Sequence, residues 1–111
     1  MSDCLFCNIA AGKIPGDIVY EDDKVLAFKD INPQAETHLL VIPKAHFKDL
    51  PDLAENQADL LSYMMQSIVK IAQQHGLDNG YRTIINTGKG GGQIIFHLHA
   101  HILAGSNLPG F

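Results

Sequence analysis

Residues 96–103 read Phe-His-Leu-His-Ala-His-Ile-Leu, so His97, His99 and His101 alternate with Leu98, Ala100 and Ile102. Successive side chains of a strand point to opposite faces. The spacing therefore predicts three imidazoles on one face, roughly 6.5–7 Å apart along the chain, and an apolar set turned into a core. Such a row covers a surface poorly, because each ring is polar and titrates near pH 6.5. It can hold a metal ion jointly, or one ring can act as a nucleophile while its neighbours handle protons. The loop before it, with Gly88, Gly90, Gly91 and Gly92, favours the second chemistry. Glycines leave N–H groups unhindered and let the backbone approach an anion closely. A neutral imidazole is a competent nucleophile at pH 7, and a histidine–phosphoryl intermediate divides one hard displacement into two. That scheme requires no catalytic metal.

A second cluster opens the chain. Cys4-Leu5-Phe6-Cys7 is a C-x2-C pair, which is half of a closed zinc site. His46 and His97 are candidates for the other two ligands. The alternative is a pair of reduced thiols. The sequence argues against a thioredoxin-like redox role, since no strand precedes the pair and no βαβ unit surrounds it.

These residues need elements to position them. Leu5–Ala11 reads as a short helix stopped by Gly12, with Pro15-Gly16 forbidding its continuation. Ile18–Glu21 and Val25–Phe28 form a hairpin about Asp22-Asp23-Lys24, and Thr37–Ile42 is a strand closed by Pro43. A long helix starts at Asp52, with Glu55 completing a capping-box pattern, and Gly76 stops it after His75. Leu61, Met64, Met65, Ile68 and Ala72 form its apolar stripe, in which the methionines are core filler. Leu60, Val69 and Ile71 broaden that stripe, which marks either a deeper core or a partner surface. Tyr81–Asn86 and Ile94–Leu103 are the remaining strands. Strands joined by short turns with helices set apart predict an α+β class with a mostly antiparallel sheet.

The chain has 111 residues, 46% of them hydrophobic and 18% charged, which predicts a single domain over residues 1–111. A net charge of −4 argues against a nucleic-acid partner. No apolar run approaches a membrane span and the start at Met1-Ser2-Asp3 lacks a signal-peptide layout, so the expected location is the cytoplasm, with no membrane partner.

The segment His97–Leu103 resembles the signature of the histidine triad (HIT) family. Ala27–Ala35, Thr37–Lys44 and Gly91–Gln93 are similar to its Hint-type branch, in order and at family-like spacing. The resemblance runs over essentially the whole chain. It implies a five-stranded sheet with one long and one short helix, continued across a twofold homodimer in which the long helix and the Tyr81–Asn86 strand meet their symmetry mates. It implies that His99 is the nucleophile and becomes transiently nucleotidylated, and that His101 contacts the α-phosphate or helps handle the proton. His97 completes the catalytic triad, and His38 stands behind it. Asp30 would hold the ribose hydroxyls, Phe28 and Ile31 would line the base pocket, and Asn86, Gly92 and Gln93 would border the phosphate. Bacterial members with similar cysteines hold a structural zinc, here on Cys4, Cys7, His46 and His97.

The implied activity is hydrolysis of the P–N bond of purine nucleoside 5′-phosphoramidates, or of acyl-nucleotide relatives, releasing AMP or GMP. The alternatives are a purine nucleotide-binding regulatory module with little turnover, a dinucleoside polyphosphate hydrolase, and a zinc hydrolase using all three histidines as ligands. One departure bears on turnover: family members often carry Ser directly after Gly-Gly-Gln, and this chain carries Ile94.

Overall fold

Asp22 turns the chain where the hairpin is expected. Its carboxylate accepts the N–H groups of Lys24 and Val25, both at 2.8 Å. This turn joins β1 (Ile18–Glu21) to β2 (Val25–Lys29). The computed structural model describes residues 3–110. β3 (Thr37–Pro43), β4 (Arg82–Ile84) and β5 (Ala100–Ala104) complete an antiparallel sheet of order β1-β2-β3-β5-β4. The class is α+β, as expected.

Period-two alternation along these strands builds two apolar layers. Val25, Ala27, Leu39, Val41, Leu98, Ala100 and Ile102 pack with Leu53, Met64, Ile68 and Ile71. Those last four come from α2 (Leu50–Asn56) and α3 (Ala58–Gln74). The opposite face carries Leu26, Phe28, Leu40 and Ile42, covered by Phe6 and Ile9 of α1 (Leu5–Ala10). A β3–β5 register of Leu40 opposite His101 and His38 opposite Leu103 sets His38 and His101 on that second face.

Five expectations change. The single long helix is two helices, broken at Gln57, whose backbone (φ −148°, ψ 67°) is not helical. The cap is Asp49, not Asp52: the Asp49 carboxylate accepts the Asp52 N–H at 3.0 Å, and Asp52 accepts the Lys48 N–H at 2.8 Å. Glu55 is simply exposed. Ile71 belongs to the core, not to a broadened outer face, whereas Val69 is 48% exposed. The last strand is regular only from Ala100, because the Leu98 N–H donates to the carbonyl of Phe47 in a loop instead of to a neighbouring strand. Tyr81–Asn86 likewise shortens to Arg82–Ile84. Gly76, at φ 70°, ends α3 where expected.

Candidate functional site: a histidine relay above an aromatic pocket

A cavity of about 510 Å³ opens on the sheet face covered by α1. Leu5, Phe6, Ile9, Phe28 and Leu40 give it apolar lining, and Asp30, Ile31, Asn86, Gly92, His99 and His101 line it as well. Phe6 is the keystone of the wall. Its ring meets Phe28 and His99 edge-on, with centroids 5.5 and 5.0 Å apart. Asp30 keeps its carboxylate in place by accepting the Asn32 N–H at 2.8 Å.

Hydrogen bonds assign a proton position to each imidazole of the site. Nδ1–H of His99 donates to the carbonyl of His97 at 2.8 Å, which leaves Nε2 of His99 with a free lone pair. Nδ1 of His38 accepts the Gln34 N–H at 3.0 Å, so the His38 proton sits on Nε2. That Nε2–H donates to Nδ1 of His101 at 2.8 Å, with an Asp30 carboxylate oxygen 3.4 Å away. His101 therefore carries its own proton on Nε2. The result is a bare Nε2 on His99 beside an Nε2–H donor on His101, their ring centroids 5.2 Å apart.

Burial favours the neutral form of His101 and His38. It pushes His101 down to about 4, helped by the neighbouring His99 and His38 and opposed by Asp30. His38 is also lowered by burial, against the pull of Asp30.

His97 does something different. Its Nε2–H donates to the carbonyl of Pro43 at 2.8 Å, so Nδ1 is bare and lies 3.3 Å from Sγ of Cys4 and 3.4 Å from Sγ of Cys7. Nδ1 of His46 is 3.2 Å from Sγ of Cys7. The four donor atoms lie within 4.8 Å of one another. Two thiols and two imidazoles, one oriented by a backbone carbonyl, are a fitting donor set for tetrahedral zinc. Burial first of all holds His97 near 4, which favours the neutral ring a metal needs.

The expected residues thus divide. Phe28, Asp30, Ile31, Asn86, Gly92, His99 and His101 surround one cavity, and His38 sits behind His101. His97 leaves the catalytic row and joins Cys4, Cys7 and His46. Gln93 also turns away: its Oε1 accepts the Gly88 N–H, and its Nε2 donates to the carbonyls of Lys48 and Ile95. It clamps the glycine loop from within. The sequence reading missed Leu5, Phe6 and Ile9 as pocket wall. Their signal is present, because Phe6 and Ile9 fall three apart on a short helix with no other core to fill.

The family described as "Scavenger mRNA decapping enzyme C-term binding" matches residues 3–110. The chain is 53% identical over 103 residues to Protein HitA of Neisseria gonorrhoeae, covering 93% of this chain and 96% of that one. It is 43% identical over 107 residues to the purine nucleoside phosphoramidase of Escherichia coli, covering 96% and 90%. A histidine triad protein structure from Clostridium difficile superposes with a TM-score of 0.94 at 50% identity, over 100% of this chain and 97% of that one. Fold and site together define a histidine-centred α+β protein, and its relatives include a HIT family hydrolase from Legionella pneumophila, 45% identical over 96% of each chain with a TM-score of 0.90. The chain belongs to the histidine triad (HIT) family.

Proposed function

We propose that the protein hydrolyses purine nucleoside 5′-phosphoramidates, and related acyl nucleotidylates, through a nucleotidyl–histidine intermediate. The carrying observation is the pair of assigned protons: a bare Nε2 on His99 and an Nε2–H on His101, facing one cavity. The base lies against Phe28 and Phe6, and Asp30 accepts from the ribose hydroxyls. Nε2 of His99 forms a bond to phosphorus while the P–N bond to the amine breaks. His101 donates to a phosphoryl oxygen, and N–H groups of the glycine loop add to that stabilisation. The departing amine takes up a proton at the open mouth. Water then cleaves the phosphohistidine and releases a proton, so the cycle balances and yields a nucleoside monophosphate.

Rapid mixing with a fluorogenic adenosine phosphoramidate tests this reading. A burst of amine, together with an adenylated His99 trapped by mass spectrometry, is expected. Near-wild-type kcat in His99→Ala would overturn the covalent route. One feature favours a second reading, a mononucleotide-holding module: Ile94 offers no hydrogen-bonding side chain beside the phosphate loop. Tight AMP binding without a burst would select it.

Two further parts belong to this reading. Cys4, Cys7, His46 and His97 hold a structural zinc that ties α1, and with it Phe6, to the segment bearing His99. The chain is also a homodimer, supported by the open edge of β4 and by Val69, 48% exposed on α3.

A further inference from the structure

At six residues, α1 is too short to persist in water by its own hydrogen bonds. Two anchors hold it to the rest of the chain. Phe6 and Ile9 are buried on Leu26, Phe28, Leu40 and Ile42 of the sheet. The thiols of Cys4 and Cys7 form the other anchor, standing 3.3 and 3.4 Å from Nδ1 of His97. Cys7 also meets Nδ1 of His46 at 3.2 Å. This second anchor reaches the sheet through His97, whose Nε2–H donates to the carbonyl of Pro43 at the end of β3.

The same short helix gives the cavity Leu5, Phe6 and Ile9. Phe6 sits in sequence between the two cysteines, and its ring touches both sites. Its centroid lies 6.0 Å from that of His97, in the cysteine cluster, and 5.0 Å from that of His99, in the cavity. A backbone link runs alongside, because the carbonyl of His97 accepts Nδ1–H of His99 at 2.8 Å. Whatever orders Cys4, Cys7 and His97 therefore also orders Phe6 and the His99 ring. Two ligands that order one element assist each other, since the first already fixes what the second would otherwise have to.

We infer that the Cys4–Cys7–His46–His97 cluster and the cavity are coupled through α1, so that zinc on the cluster and a purine mononucleotide in the cavity bind cooperatively. This rests on the nucleotide and zinc readings above and adds a relation between them. Metal supply then sets nucleotide affinity, and bound nucleotide retains the metal. The coupling runs through protein, because the cavity lining includes Phe6 and His99 but none of the four cluster residues.

The test is calorimetry with AMP on the zinc-loaded protein and on protein stripped with EDTA. Stripping is expected to weaken AMP binding about tenfold, within the range usual for coupled sites, and one equivalent of zinc should restore it. Linkage requires saturating AMP to raise zinc affinity by the same factor. Competition for zinc against a chromophoric chelator reads that factor on the loaded protein, with no need for a stable zinc-free form. His46→Ala leaves α1 and the other three ligands in place, and it should need more zinc to reach the tight AMP-binding state. Equal AMP affinity with and without zinc, or a zinc affinity indifferent to AMP, overturns the coupling and leaves both sites standing. Protein that takes up no zinc overturns the metal site and the coupling with it. Zinc-loaded protein that does not bind AMP overturns the nucleotide reading together with the coupling.

Discussion

Nε2 of His38 stands 2.8 Å from Nδ1 of His101, and this bond decides which nitrogen of His101 faces the substrate. The direction is set outside the imidazole pair, by the Gln34 N–H that occupies Nδ1 of His38. A backbone amide thus orients a ring that lines the cavity on a different strand. His38 is a positioning residue in this arrangement, since of this bonded pair it is His101 that lines the cavity.

Replacing His38 by Leu should therefore act on turnover more than on binding. Without its Nε2–H, His101 is free to take the other tautomer and withdraw its donor from the phosphoryl group. Steady-state kinetics should show kcat lower by about 10²-fold, in the range for misplaced proton-handling groups, with little change in AMP affinity. A fall confined to KM would refute the positioning role.

Phe6→Ala should weaken fold and site together. Phe6 is 3% exposed and its ring meets Phe28, His97 and His99 edge-on. Truncating a buried Phe costs about 3–5 kcal/mol. Chemical denaturation should report a loss of that order, and calorimetry should show weaker AMP binding because the base loses one wall.

Metal content provides an independent check. Protein purified without added metal should contain close to one zinc per chain by elemental analysis. Cys7→Ser should lose it and melt at lower temperature, because binding energy at a structural site acts as folding energy. Wild-type protein with well under half a zinc per chain would remove the metal from this account.

Acid stability should depend on Asp22. Burial alone would raise this carboxyl. Hydrogen bonds from the Tyr63 hydroxyl (2.6 Å), the Lys24 N–H, the Tyr20 hydroxyl and the Val25 N–H outweigh it and hold the group at about 2. Its folded value lies below the unfolded 3.8, so the stabilisation is complete above pH 3.8 and disappears as pH falls through 2. Urea midpoints of the wild type should exceed those of Asp22→Asn at pH 6, and the gap should close between pH 4 and pH 2. A gap independent of pH would show that the carboxylate charge is not its source.

Assembly is open to a direct measurement. Sedimentation equilibrium at low micromolar concentration should report about twice the 12.1 kDa chain mass. A monomer there would return the β4 edge and Val69 to solvent.

Local pattern determined a good deal on its own. The alternation from His97 to Ile102 placed Leu98, Ala100 and Ile102 in one core layer, because a strand's period of two is a property of the backbone and needs no partner. The β1–β2 hairpin was legible for the same reason, since Asp22 bonds to amides only two and three residues away. The tertiary structure decided what the pattern left degenerate. His97 and His99 look equivalent in sequence, yet His97 meets Cys4, 93 positions away, and His99 meets the cavity. Gln93 reads as a phosphate neighbour until the carbonyl of Lys48, 45 positions away, draws its amide inward. The helix break at Gln57 and the cap at Asp49 were also hidden, because helical periodicity carries on across a break while a cap depends on backbone angles. Spacing encodes the face a side chain occupies. Which distant group meets it there depends on how the layers close, and that is settled only when the whole chain packs.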